Sequence, residues 1–325
     1  MGHDQQDLDQ VVEPEAEEAI EVTGCPLVGF ARASALMRSA HLPFTPELEL
    51  QLRAWLAEDI GRGDLTAAAL AGRPGRAHWL AKVPGVFCGG VLVEPLFRLL
   101  DPALRLQLLV VDGEPVVAGQ RLLELEGGAA ALVAGERTAL NLAMRLSGIA
   151  TATAALVAEL EGTGVRLADT RKTTPGLRWL EKYAVRCGGG SNHRQGLDDA
   201  AMLKENHLAW AGGVAGGLEV AIAAVRANGP WPAQVIVEAE TAAEAAAAVR
   251  AGADGVLLDE FTPAQLRQLV PELRSLAGGR QLVLEASGVQ PEQLRDYASS
   301  GIDLISTSAP ITRSPWLDLS MRFEL

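Results

Sequence analysis

The sequence has no lysine or arginine before Arg32, while its first thirty residues carry eight acids: Asp4, Asp7, Asp9, Glu13, Glu15, Glu17, Glu18 and Glu21. A secretory leader needs positive charge ahead of an apolar stretch, so none is expected. No uninterrupted apolar run reaches the roughly 18 residues of a membrane span. Cysteine is scarce. Cys25, Cys88 and Cys187 are odd in number and far apart, which argues against a disulfide framework and against a C-x-x-C metal site. Together these absences predict a cytoplasmic protein with reduced or buried thiols.

What remains is ample for a packed core. The chain has 325 residues, of which 48% are hydrophobic and 21% charged, so it is expected to fold, and its length suggests two domains. The formal charge of −13 is unevenly spread. The first thirty residues hold −8 of it, leaving −5 for the other 295. An acidic balance argues against nucleic acid and anionic membranes as partners. The acidic run itself reads as a solvated, flexible arm covering 1–43.

Apolar residues Leu48, Leu52, Trp55, Leu56 and Ile60 predict a helix from Thr45 or Pro46 to Gly61. Short apolar runs such as His78–Lys82 and Arg121–Glu126, with turns at Pro84-Gly85 and Asp112-Gly113, predict a small α+β region. Ala134–Leu160 is Ala/Leu-rich, free of proline and expected to be helical. From there the rhythm changes. Val165–Asp169, Ala201–Lys204, Val235–Glu238, Gly255–Asp259, Gln281–Glu285 and Asp303–Ser306 read as strands. Helical patterns such as Ala242–Ala251 and Pro263–Leu276 lie between them. Repeated βα units predict a parallel sheet, closed or open, with its functional face at the C-terminal strand ends. Five of the six runs end in charge, at Asp169, Lys204, Glu238, Asp259 and Glu285, the sixth in Ser306, which points to a shared polar site there.

Lysine is rare: Lys82, Lys172, Lys182 and Lys204 are the only four, and three fall within 172–204. Residues 166–204 hold eight basic residues against Asp169, Glu181, Asp198 and Asp199, a net of +4 inside an acidic protein. Concentrated positive charge of this kind suits a small polyanion bearing carboxylates or phosphates. Gly188-Gly189-Gly190 runs into Ser191-Asn192-His193-Arg194, and glycine lets backbone N–H groups approach an anion. Lys182 is either an ion-pair partner or a ligand, Arg178 either site or scaffold, and Asp64 reads as a loop cap.

Several blocks are long and specific. Thr170-Arg171-Lys172-Thr173-Thr174-Pro175-Gly176-Leu177-Arg178 is followed by Glu181-Lys182-Tyr183-Ala184-Val185, by Gly188-Gly189-Gly190, by Asn192-His193-Arg194 and by Lys204-Glu205-Asn206-His207. Upstream lie Ala57–Thr66 and Glu136-Arg137-Thr138-Ala139-Leu140-Asn141. In this order, from Pro46 to the C-terminus, the sequence resembles the quinolinate phosphoribosyltransferase family. The resemblance implies an open or incomplete TIM-like α/β barrel at 140–309 with a smaller N-terminal α+β sandwich domain at 44–139, onto which about 310–325 packs. It implies Mg²⁺-dependent conversion of quinolinate and phosphoribosyl pyrophosphate to nicotinate mononucleotide, pyrophosphate and carbon dioxide, in de novo NAD biosynthesis.

The resemblance also implies the site. Quinolinate would meet Arg137, Thr170, Arg171, Lys172, His193 and Arg194. Lys172, Lys204, Glu238 and Asp259 would be the catalytic groups beside phosphoribosyl pyrophosphate, with Glu238 and Asp259 near Mg²⁺, directly or through water. Ser287, Gly288, Thr307 and Ser308 would hold phosphate. Arg137 would reach the neighbouring subunit's site, implying at least a homodimer. The sequence departs from the family pattern at Ile236-Val237-Glu238, where a first acid is absent, and at Asp259-Glu260, where Asp-Asn is usual. It departs again at Val289 and Ser308, which replace glycines. A relative acting on another nucleobase or pyridine, and an inactive barrel using the acidic arm for docking, are the competing readings.

Overall fold

A computed structural model of the chain describes residues 40–210 and 214–324. Most of the acidic arm therefore lies outside the described residues. Helix α1 (Pro46–Ile60) starts where expected, because Thr45 Oγ1 accepts from Leu48 N at 3.2 Å and Pro46 opens the first turn. It ends at Gly61, whose φ of +57° suits glycine. Leu48, Leu52 and Leu56 form its buried stripe.

Short α2 (Ala67–Leu70) leads to the antiparallel part, made of β1 (Pro74–Ala81), β2 (Gly85–Val86), α3 (Gly90–Arg98), β3 (Arg105–Leu108), β4 (Pro115–Val116) and β5 (Arg121–Gly128). Its main sheet runs β12-β1-β5-β3, where β12 (Leu319–Glu324) is the last strand of the chain. Alternation in β1 puts Ala77, Trp79 and Ala81 inside, the period-2 pattern of a sheet with one buried face. Helix α4 (Ala129–Glu159) is 31 residues long and apolar enough to cross a membrane by composition, but half of its most apolar window is buried inside the protein. It packs on α1, α3, β1, β5 and β12 and also on the next helix, α5 (Arg178–Cys187).

The second sheet is parallel, with order β6-β11-β10-β9-β8-β7. Its strands are β6 (Arg166–Ala168), β7 (Ala201–Leu203), β8 (Val235–Ala239), β9 (Gly255–Leu258), β10 (Val283–Ala286) and β11 (Leu304–Ser306). All six coincide with the runs read from sequence. The edge strands β6 and β7 do not pair among the described residues, so the barrel is open. Central β9 is buried at all four positions, as its unbroken Gly-Val-Leu-Leu requires. Helices α6 (Glu205–Trp210), α7 (Val214–Asn228), α8 (Ala242–Arg250), α9 (Pro263–Ala277), α10 (Leu294–Ala298) and α11 (Ala309–Thr312) fill the connections. Two of them start on reciprocal capping boxes, Thr241 with Glu244 and Thr262 with Gln265. Each box stops its strand at a fixed residue and so sets where the preceding Glu238 and Asp259 emerge.

Candidate active site

A cleft of about 610 Å³ opens at the C-terminal ends of the parallel strands. It brings together Thr170, Arg171, Lys172, His193, Arg194, Lys204, Glu238, Asp259, Ser287, Gly288, Thr307 and Ser308, every residue proposed from sequence except Arg137. Arg137 lies on α4 and lines a different hollow of about 310 Å³ with Trp55, Asn141 and Trp316.

The polar floor is built from beneath. Asp169, at the end of β6, does not face the cleft as a mouth charge; it is 1% exposed and pairs with Lys182 of α5, which is fully buried. Lys182 Nζ also donates to the His193 carbonyl at 2.8 Å. Asp169 accepts from His193 N (2.8 Å) and from Asn192 Nδ2 (2.7 Å). Burial pushes the Asp169 carboxyl above its ordinary range and the Lys182 ammonium below its own, while their mutual attraction opposes both shifts. Lys182 is therefore an ion-pair partner that shapes the His193 segment, and it is not among the lining residues.

The Thr170–Leu177 turn is held in the same way. Glu181 is fully buried; its Oε1 accepts from Arg145 Nη2 (2.8 Å) and Thr174 Oγ1 (2.9 Å), and its Oε2 accepts from Thr174 N (2.8 Å). Arg178 is scaffold: it donates to Thr173 Oγ1 and to the Gln195 carbonyl, both at 3.0 Å. The triple glycine acts differently from its sequence reading. The amides of Gly188, Gly189 and Gly190 donate to Ala184 O, Arg186 O and Val185 O, so none is aimed at an anion. A Cβ on Gly188 would stand 2.4 Å from Ala150 O, and one on Gly190 would stand 2.7 Å from Val185 Cγ1. These glycines allow α5 to close against α4.

The cleft cations differ in what already holds them: Arg194 Nη1 donates to the Ala200 carbonyl at 3.0 Å. Arg171 Nε is buried without a hydrogen-bond partner, a donor awaiting an acceptor. Burial and the neighbouring Arg171 lower the pKa of Arg194, a tension that a bound anion would relieve. Lys204 pairs with Glu238, and Ser287 Oγ donates to Asp259 Oδ1. Among the described residues no cluster of three or more metal-ligating side chains occurs. Glu238 and Asp259 nonetheless fit Mg²⁺, which is commonly held by one or two carboxylates, waters and substrate phosphates.

The altered loops are accommodated locally. Val289 is buried in the barrel core and also lines the cleft. The Ser287 and Thr307 amides donate to Leu258 O and Ala168 O and are not free for phosphate. The amides of Gly288 and Ser308 make no such bond among the described residues. Sequence reasoning missed Gln290, Pro291 and Arg313 as lining residues and treated Glu260 and Glu285 only as a departure and a strand end. Arg313 had a signal: it lies five residues past Ser308, a position already assigned to phosphate.

Two family models cover most of the described chain: quinolinate phosphoribosyl transferase, N-terminal domain, over residues 64–147, and C-terminal domain over residues 149–322. The chain is 44% identical over 273 residues to the probable nicotinate-nucleotide pyrophosphorylase [carboxylating] of Synechocystis, covering 83% of this chain and 90% of that protein. It is 37% identical over 272 residues to the nicotinate-nucleotide pyrophosphorylase [carboxylating] of Homo sapiens, covering 83% and 89%. The solved structure of the nicotinate-nucleotide pyrophosphorylase from Francisella tularensis superposes with a TM-score of 0.79 at 34% identity, covering 87% of this chain and 99% of that one. With the cleft geometry and two contiguous domain matches in agreement, the chain belongs to the quinolinate phosphoribosyltransferase family.

Proposed function

We propose that the chain converts quinolinate and phosphoribosyl pyrophosphate to nicotinate mononucleotide, pyrophosphate and carbon dioxide, a step of NAD biosynthesis. The observation that carries this reading is the cleft itself. Arg171, His193 and Arg194 line it together with Lys172, Lys204, Glu238 and Asp259. Two polyanionic substrates repel each other, and fixed cations offset that repulsion while orienting both.

In this reading Arg171, Arg194 and His193, with Thr170 and Lys172, hold the two quinolinate carboxylates. Arginine suits them because its planar fork donates two parallel bonds. The pyridine nitrogen attacks the anomeric carbon as pyrophosphate leaves, through an oxocarbenium-like transition state. Lys172 and Lys204 stabilise charge on the departing group. Glu238 and Asp259 hold the ribose hydroxyls and would hold Mg²⁺, which would neutralise pyrophosphate charge when bound. Ser287, Gly288, Thr307 and Ser308 receive the 5′-phosphate, with the amides of Gly288 and Ser308 as its backbone donors. Loss of the carboxylate adjacent to nitrogen leaves an electron pair that the pyridinium stabilises, so no protein nucleophile is needed.

Arg137 points to assembly. It lies outside its own cleft, and we infer that it completes the site of a second copy in a homodimer or larger oligomer. A cytoplasmic location, with no nucleic acid or membrane partner, follows from the same reading. Purified protein given quinolinate, phosphoribosyl pyrophosphate and Mg²⁺ should form nicotinate mononucleotide; none formed would remove the reading. The changed phosphate turn, with Val289 and Ser308 in place of glycines, favours one alternative, a relative using another nucleobase or pyridine, which a panel of bases in a pyrophosphate-release assay separates.

A further inference from the structure

His193 is held at every polar atom. Its backbone N donates to Asp169 Oδ1 and its carbonyl accepts from Lys182 Nζ, both at 2.8 Å. Its ring Nδ1 lies 2.7 Å from Arg194 N, and a backbone amide is always a donor, so Nδ1 must be the unprotonated nitrogen. Its ring Nε2 lies 3.2 Å from Glu285 Oε2, an acceptor, so Nε2 must carry the proton. Turning the ring over would put carbon at both contacts and lose both bonds, which removes the usual ambiguity of imidazole placement.

Glu285 is the unexplained partner. It is 2% exposed, and its Oε1 is buried with no hydrogen-bond partner. A carboxylate so placed costs stability, and an orphaned buried oxygen needs a reason. Its backbone is fixed in β10 between Leu257 of β9 and Leu304 of β11. It stands at the junction of the catalytic cleft and a second cavity of about 420 Å³ that reaches the opposite strand ends at Arg166, Gln234 and Val283. His193, Arg194 and Glu285 line both spaces. Open space on both sides means that packing alone does not fix the imidazole; the Glu285 bond at Nε2 and the Arg194 amide bond at Nδ1 fix it together.

We propose that Glu285 is a positioning residue for His193, fixing the ring as its Nε2-protonated tautomer so that one N–H is offered to quinolinate beside Arg171 and Arg194. At 3.2 Å the bond to Glu285 is longer than the usual 2.9–3.0 Å, which leaves the N–H open to sharing with a second acceptor in the cleft. The idea rests on quinolinate being the substrate.

The test compares wild type, Glu285→Gln and Glu285→Ala as full-length proteins. Side-chain ¹⁵N NMR, with His193→Gln to assign the signal, reads the tautomer without turnover. Steady-state kinetics reads each substrate separately. The Gln amide oxygen still accepts, so Glu285→Gln should keep the Nε2–H signature and hold the quinolinate KM within about 3-fold of wild type. Glu285→Ala should lose the single-tautomer signature and raise the quinolinate KM at least about 10-fold, with the phosphoribosyl pyrophosphate KM changed less than about 2-fold. An unchanged ¹⁵N signature in Glu285→Ala, or equal rises in both KM values, would overturn the proposal. So would a folded Glu285→Gln protein as impaired as Glu285→Ala, since charge and not acceptance would then matter. If wild type makes no product from quinolinate, the functional reading falls, while the spectrum still decides the tautomer.

Discussion

Lys182 and Asp169 pair in the interior, one fully buried and the other 1% exposed, and between them they hold the backbone N and O of His193. A buried pair need not stabilise relative to apolar residues, but breaking one strands a charge. Lys182→Ala should therefore cost about 3–5 kcal/mol in denaturant unfolding, and should raise the quinolinate KM because the His193 carbonyl is released. A loss below about 1 kcal/mol would show that the pair is not the anchor described here.

Arg171 offers a buried Nε with no partner inside the protein. Arg171→Ala should raise the quinolinate KM and lower turnover by more than about 10², as expected for a charged contact of roughly 2–5 kcal/mol. The fold should be unaffected, since no hydrogen bond from that nitrogen is lost. Near-normal kinetics would remove Arg171 from the site.

Among the described residues Glu260 is the one non-glycine with positive φ, +59°. It stands where the family usually carries asparagine, a residue that tolerates this conformation better. Its carboxylate lies 2.7 Å from where a Cβ on Gly288 would be. Glu260→Asn should stabilise the protein by about 0.5–1 kcal/mol by relieving backbone strain. It should also lower the phosphoribosyl pyrophosphate KM by removing negative charge beside the phosphate loop. A destabilised variant would show that Glu260 makes a compensating contact.

Asp101 ties the end of α3 to the start of α4. Its carboxylate accepts from Gly128 N at 2.7 Å and Ala103 N at 3.0 Å, which hold its pKa below the ordinary value of about 3.9. A depressed carboxylate stabilises the fold above its unfolded pKa and loses that contribution as pH falls through its folded one. Asp101→Asn should therefore weaken the protein at pH 7 and flatten the fall in stability below about pH 4. An unchanged acid limb would contradict the assignment.

Strands and helices were legible because period and caps are local: Thr45, Thr241 and Thr262 each stand immediately before a helix and accept from the amide three residues on. The cleft was legible because strand ends converge in an open barrel whatever its exact closure. The direction of a strand-end side chain was not. Asp169 follows β6 as Asp259 follows β9, yet one is buried under the floor and the other lines the cleft. The difference lies in Lys182 and Asn192, which reach Asp169 from α5 and the following loop. The triple glycine misled for the same reason: Gly188 is constrained by the backbone of α4, and the sequence alone does not say which helix will lie alongside.

The central claim is that this cleft joins two polyanions and releases one carboxylate. Quinolinate labelled at the carboxylate adjacent to nitrogen tests it most directly, with phosphoribosyl pyrophosphate and Mg²⁺ present. The account predicts labelled carbon dioxide in equal amount to nicotinate mononucleotide and pyrophosphate, abolished when either substrate is omitted. Pyrophosphate release without labelled carbon dioxide, or with a different pyridine preferred, would contradict it.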